Sequence, residues 1–260
     1  MNPVLDVIFN RKSIRAYDPG PIDRQDRDTI VQAAIRAPTA GNLMLYSIIE
    51  VTDQAVKDRL VHTCDNQPFI ARAPLVLLFL ADFQRLHDYI LHCGVGEGCR
   101  QQGIPMRRPE EGDLFLACCD ALIAAQTAVI AAESLGIGSC YVGDILENYE
   151  VHQQLFDLPP YVFPICLVCF GRPTAQQKER ELTPRFDRRF IAFENRYRRL
   201  TPSEFDEMFQ PWHKRTFAGR SEVAGATTVG QLIYNRKVSA DYAREMTRSV
   251  RAMLAAWLQG

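Results

Sequence analysis

From Leu114 to Ala132 the chain is almost wholly apolar, with alanine recurring throughout. That stretch is about as long as a membrane span. Asp120 sits near its centre, Gln126 and Thr127 follow, and acidic Glu110, Glu111 and Asp113 precede it. A carboxylate at mid-depth is costly in a bilayer, whereas small alanines let a helix pack closely among neighbours. The stretch therefore reads as a buried core or interface helix, and the remaining elements must be arranged to cover it.

Those elements can be read in order. Asp23 can cap a helix whose apolar positions Ile30, Val31, Ala34 and Ile35 recur at helical spacing, and Pro38 closes it. Pro38-Thr39-Ala40-Gly41-Asn42 is a loop dense in small and polar groups, followed by a strand over Ser47 to Val51. Asp53 caps a second helix through Val56, Leu60 and Val61. Pro74 to Leu80 and Val162 to Phe170 are continuous apolar runs, the pattern of strands buried on both faces. Cys166 and Cys169 lie three apart on the second run and face opposite sides, so they read as core thiols rather than a redox pair.

Between Phe83 and Gly112 the periodicity weakens, and the segment reads as a mobile loop or lid. His87, His92, Cys93 and Cys99 are grouped there, but their spacing matches no paired zinc scheme, and no metal is assigned. Gly94-x-Gly96-x-Gly98 lacks the preceding strand and following acid of a dinucleotide fingerprint. Gly136 to Asp144 is a glycine-rich turn into a short extended piece, where backbone can approach a flat ligand closely. Near the end, Thr201-Pro202-Ser203-Glu204 forms a capping box. Tyr242, Met246, Val250, Met253, Leu254, Trp257 and Leu258 then lie on one helical stripe. That stripe needs a surface to cover, in this subunit or a partner.

For function, the informative stretch is Arg11-Lys12-Ser13-Ile14-Arg15, halted by Asp18-Pro19-Gly20-Pro21. Two readings stand side by side. It can be a solvated face at a helix end, where cations suit the dipole. It can also be a phosphate cradle, with forked arginine donors, a lysine charge and a serine hydroxyl. Lys+Arg 30 against Asp+Glu 31 leaves a formal charge of -1, so net charge points to no nucleic-acid or anionic-membrane partner. The eight cysteines, mostly in apolar surroundings, and the absence of a cationic apolar leader suggest a reduced, cytoplasmic protein.

Taken together, these residues resemble the FMN-dependent nitroreductase family, in particular its oxygen-insensitive nitroreductase and NADPH–flavin oxidoreductase branch. The likeness runs from Val7 to about Ile191, with an echo at Asn235-Arg236-Lys237. It rests on the order and spacing of Arg11-x-Ser13-x-Arg15, the stretch from Arg36 through Asn42 to Asp53, Gln67 ahead of the 73–82 strand, Tyr141-Val142-Gly143-Asp144, Gly171-x-Pro173, and Pro184-Arg185.

The resemblance implies an α+β, nitroreductase-like fold: a mainly antiparallel central sheet flanked by helices, in an intertwined homodimer with FMN at the interface. It assigns residues 1–200 to an FMN-binding domain and 201–260 to a helical extension packing on that domain or on the partner. Arg11, Ser13 and Arg185 would hold the FMN phosphate, with Lys12 contributing chiefly through its backbone. Arg15 and Gln67 would face the N1 and O2 edge of the ring. Thr39 and Asn42, in the Pro38–Ala40–Asn42 loop, would come from the partner, and backbone near Tyr141, Val142, Gly143 and Asp144 would meet the N5 and O4 edge. The chemistry implied is ping-pong transfer from NAD(P)H through FMN to a nitroaromatic, quinone or similar small acceptor, without a catalytic acid–base side chain. Asp144 and Arg236 are possible substrate-side contacts, and Arg236 with Lys237 is suited to the 2′-phosphate of NADPH or an anionic acceptor.

Two departures stand out. Thr183 occupies a place where the branch often has lysine, so the phosphate contact is weaker unless Arg188 or Arg172 substitutes. Asp144 stands where a small glycine is common. These departures support the alternative of a flavin-binding carrier or sensor with little nicotinamide turnover; the unmatched 83–112 and 205–230 regions leave open a specialised reaction such as reductive dehalogenation.

Overall fold

The computed structural model of the chain describes residues 2–259. Its contacts divide into two compact units, residues 1–182 with 245–260, and residues 183–244. The helical extension expected from residue 201 is divided between them, residues 201–244 falling in the second unit and the last helix, from Glu245, in the first.

The first unit is built on a four-stranded antiparallel sheet in the order β1-β2-β4-β3, from β1 (Tyr46–Glu50), β2 (Leu75–Asp82), β3 (Gly138–Val142) and β4 (Val162–Gly171). Every residue of β2 is buried, as its unbroken apolar run requires. Pro164 lies inside β4, an interior strand, where a missing N–H should break the ladder. The register slips there: Phe79 faces Cys166 and Leu80 faces Pro164, leaving Ile165 as a bulge.

The two sheet faces carry separate cores. On one, α2 (Arg24–Ile35) and α7 (Glu111–Ser134) cover Leu77, Phe79, Cys166, Val168 and Phe170. On the other, α3 (Gln54–Thr63) and α4 (Phe69–Arg72) meet Val76, Leu78, Leu167 and Cys169. Cys166 and Cys169 therefore lie on opposite faces. Ala117, Ala121, Ala124, Ala125, Ala128 and Ala132 of α7 are fully buried, so the long apolar stretch is a core helix. The opposite side of α7 carries exposed Phe115, Leu116, Leu122 and Ile123, while α1 (Pro3–Asn10) lies beside its last turns, with Pro3, Val4 and Val7 close to Thr127, Ile130 and Ser134.

The 83–112 segment is a correction. It holds two helices, α5 (Gln84–His92) and α6 (Val95–Gln102), instead of a structureless lid. Gly94 (φ 79°) and Gly103 (φ 70°) occupy left-handed positions at the two ends of α6, and these breaks disguise the helical period.

After α8 (Tyr149–Leu155), β4 and the short α9 (Ala175–Glu179), the second unit contains α10 (Pro202–Thr216), α11 (Val229–Ile233) and a π-helical turn over Tyr234–Val238. Phe186, Phe209 and Trp212 pack together within it. The final helix is α12 (Asp241–Gln259), which belongs to the first unit from Glu245 onward. Trp257 packs on Tyr161 and Phe163, and its Nε1 donates to Glu110 O at 3.1 Å. Arg248 forks onto both oxygens of Glu150 at 2.8 Å. The stripe thus finds much of its surface in this subunit.

Candidate functional site

The basic segment is placed by the sheet. Helix α1 ends at Asn10, and Arg11 is already extended (φ −61°, ψ 142°). The chain then zips along the ends of β3 and β4. Ile14 N donates to Ser139 O at 2.8 Å, Ser13 pairs with Ser139, Tyr17 pairs with Pro173, and Asp18 N donates to Arg172 O at 2.8 Å. Two glycines permit this approach. A Cβ on Gly138 would lie 2.4 Å from Ile14 Cγ1, and one on Gly171 would lie 2.4 Å from Tyr17 Cδ1.

The segment so held is polarised. Arg11 Nε and Nη2 are buried and have no hydrogen-bond partner. Leaving guanidinium donors buried and unpaired is expensive, so this geometry fits an anion that accepts from them. Burial pushes the nearby Glu133 carboxyl up, and the Arg11 charge opposes that shift. Lys12 turns away: its Nζ donates to Lys178 O at 2.7 Å and to Arg180 O. Arg15 lies over the Phe69 ring, 5.8 Å from its centroid. The arginines also bear on the next strand, since Arg11 and Arg15 oppose the burial that pushes the Cys140 thiol up, and Arg11 does the same for the Tyr141 hydroxyl.

A second group surrounds the loop after α2. Gly41, Asn42 and Met44 all adopt positive φ (56°, 57° and 51°), an uncommon run for two non-glycine residues. Asp120 clamps it from α7. Although only 2% exposed, its carboxylate accepts from Ala40 N at 2.9 Å and Leu45 N at 3.1 Å. Arg85 grips the carbonyl side, donating to Met44 O and to Tyr46 O at 2.9 Å. Thr39 Oγ1 accepts from Met44 N at 3.2 Å, and Asn42 is exposed.

The third group joins Gln67 to Asp144. Gln67 Nε2 donates to Asp144 Oδ2 at 2.7 Å and to Cys64 O at 3.0 Å. Asp144 lies in a 3₁₀ turn, Gly143–Leu146, and its side chain also meets that of Glu147. Glu147 is 5% exposed, and its Oε1 has no partner. Burial first, then the charges of Asp144, Asp65 and Glu245, push its carboxyl up to about 7. Beside it, His152 Nδ1 donates to Ile145 O at 3.0 Å, which leaves Nε2 to accept from Thr63 Oγ1 at 2.8 Å. Burial lowers this imidazole to about 4, so it is neutral.

The fold therefore gathers Arg11, Lys12, Ser13 and Arg15 beside β3, and Gln67 with Asp144 at the start of the following turn. Tyr141 and Val142 lie on β3 between them, and Gly143 has open space where a side chain would project. Pro38 to Asn42 form a separate, clamped loop. Arg185 and Arg236 belong to the second unit. Arg185 Nη1 donates to Thr183 O at 3.0 Å, while Arg236 is exposed on the π-helical turn and Lys237 lies 5.5 Å from the Tyr242 ring centroid. Arg172 is not a spare cation: it pairs with Asp26 at 2.8 Å and donates to Leu135 O at 3.2 Å. Sequence reasoning missed Asp120 and Glu147 as parts of these groups. The local signal for Asp120 is a carboxylate in an apolar run, whereas Glu147 sits in the acid-rich stretch 144–150 and carries none.

The class of protein follows from comparison with known families. The chain belongs to the nitroreductase family, whose model matches residues 8–172; it is an oxidoreductase of that type. It is 30% identical over 217 residues to the oxygen-insensitive NADPH nitroreductase of Salmonella typhimurium, covering 82% of this chain and 83% of that one. It is 28% identical to the FMN reductase [NAD(P)H] of Bacillus subtilis, across 98% of this chain and 96% of that protein. Among solved structures, nitroreductase A from Vibrio parahaemolyticus superposes with a TM-score of 0.79 at 25% identity, covering 98% and 99% of the two chains.

Proposed function

We propose that this chain binds FMN and passes electrons from NAD(P)H to a nitroaromatic, quinone or similar small acceptor. The single observation that carries the reading is the pair of buried, unpartnered donors on Arg11, beside a segment held to β3. An FMN phosphate satisfies them. When bound, FMN supplies the two-electron chemistry, taking hydride from NAD(P)H and delivering electrons to the acceptor in a second half-reaction.

The residues then divide the work. Arg11 and Ser13 hold the phosphate with charge-assisted bonds. Arg15 and Gln67 face the pyrimidine edge, where a cation favours negative charge. Gly143 leaves the ring face open because no Cβ projects there. Asp144 fixes the Gln67 amide and presents negative charge to the substrate side. Arg236 draws in the 2′-phosphate of NADPH.

A second copy of the chain completes the site. Exposed Phe115 (69%), Leu116, Leu122 and Ile123 on α7, and exposed Val4 and Phe9 on α1, supply apolar surface of the kind that suits an interface. In the dimer, Thr39 and Asn42 reach the partner's flavin. The eight free cysteines fit a reducing cytoplasm.

Initial rates measured against NADPH at several fixed quinone concentrations test this directly. The reading predicts parallel double-reciprocal lines, and intersecting lines would require both substrates to be bound together. The carrier alternative predicts no turnover above free flavin.

A further inference from the structure

Two cations near the Arg11–Arg15 segment are already engaged. Lys12 is taken by two carbonyls and Arg172 by Asp26 and Leu135, while Arg15 lies over Phe69. Arg180 is placed differently. Its backbone carbonyl accepts from Lys12 Nζ, while its own Nη2 folds back to donate to Ser13 O. The same strand of chain meets the segment again where Arg15 N approaches Gln177 Oε1 at 3.5 Å. Residues 177–180 and 12–15 are thus interlocked, with each side holding the other's backbone.

The consequence is an exposed guanidinium tethered to the backbone oxygen of Ser13, a residue two positions along the chain from Arg11, whose Nε and Nη2 have no partner. A guanidinium carries five N–H donors. Only one of Arg180 is engaged by protein, and its other donors have no partner among the described residues. Each arginine carries a planar fork of donors, and two such forks brought to one serine would suit a phosphate dianion. Glu133, which lies close enough to feel both Arg11 and Lys12, offsets part of the positive charge.

We infer that Arg180 is the second arginine of the phosphate cradle, closing over the anion held by Arg11 and Ser13. This rests on the FMN reading above and deepens it, since neither the motif order nor the family likeness singles out position 180. It also gives a physical answer to the loss of a lysine at Thr183. The compensating cation comes from position 180, whose backbone carbonyl accepts from Lys12 Nζ.

The test compares FMN with riboflavin, which differs by the phosphate alone. Flavin fluorescence quenching on the full-length apoprotein gives both dissociation constants for wild type, Arg180→Ala and Arg180→Lys. Removing the guanidinium should weaken FMN about 10- to 30-fold, the scale of a charge-assisted bond, and change riboflavin by less than about twofold. Arg180→Lys should recover part of the FMN affinity. An equal loss for both flavins would overturn the assignment, because it would mean that Arg180 only shapes the Ser13 backbone; the flavin reading would survive. A wild-type apoprotein that takes up neither flavin would instead overturn the flavin reading, and Arg180 with it.

Discussion

Gln67 and Asp144, 77 positions apart, share a 2.7 Å hydrogen bond, with the amide donating and the carboxylate accepting. The bond ties the helix break before α4 to the turn after β3. It also fixes a negative charge where the chain approaches its proposed ligand.

That charge should select among acceptors. Asp144→Asn keeps an oxygen for Gln67 and removes the charge. A carboxylate within several ångströms of an anionic acceptor costs roughly 1 kcal/mol at intermediate dielectric, about fivefold in rate. The kcat/KM for a nitrobenzoate should therefore rise about fivefold relative to neutral nitrobenzene. An equal change for both acceptors would remove Asp144 from the substrate side.

Glu147 makes the folded state sensitive to pH. Its carboxyl holds a proton more tightly when folded, so the stability it contributes is full below about pH 4.5 and is lost as pH rises through about 7. Glu147→Gln cannot ionise. Its urea stability relative to wild type should climb by on the order of 1 kcal/mol between pH 5 and pH 8. A difference that stays flat over this range would contradict the buried, charge-crowded environment. His152 works in the opposite window: its value falls from 6.5 to about 4 on folding, so its contribution is present above pH 6.5 and lost as pH falls towards 4.

Asp120 should prove to be a positioning residue. It holds both ends of the Ala40–Leu45 turn, and an asparagine would set an N–H₂ group against one of those backbone donors. Asp120→Asn should cost about 2–3 kcal/mol in urea unfolding. It should also weaken flavin binding through the displaced Thr39 and Asn42. A loss below about 0.5 kcal/mol would mean that the loop keeps its shape without the clamp.

Arg236 stands exposed on the π-helical turn. Arg236→Ala should raise KM for NADPH far more than for NADH, because only the former carries the 2′-phosphate. Matching increases would sink that role.

Much of this fold can be read from local chemistry. Asp23, Asp53 and Thr201 each accept from a backbone N–H in the first turn of the helix they were expected to cap. The strand runs at 74–80 and 162–170 needed no context, because burial on both faces leaves an unbroken apolar signal. Asp120 reads correctly as a sign that α7 is no membrane span, yet its partners lie 80 and 75 residues away and no local pattern reveals them. The helices at 84–102 were hidden by the glycines that separate them. Of the candidate site, the cluster at 11–15 and the Tyr141–Asp144 turn can be picked out from the sequence. Arg180 was not, because its placement depends on a carbonyl that receives Lys12 from across the chain.

The measurement that bears most directly on the central claim is an absorption spectrum of the purified protein, followed by anaerobic addition of NADPH or NADH in the same cuvette. The account predicts a yellow protein that bleaches within seconds, with the faster donor identifying the preferred nicotinamide. A yellow protein that stays yellow would favour a flavin carrier or sensor. A colourless protein that takes up no added FMN would contradict the account and leave the Arg11 cluster as charged surface.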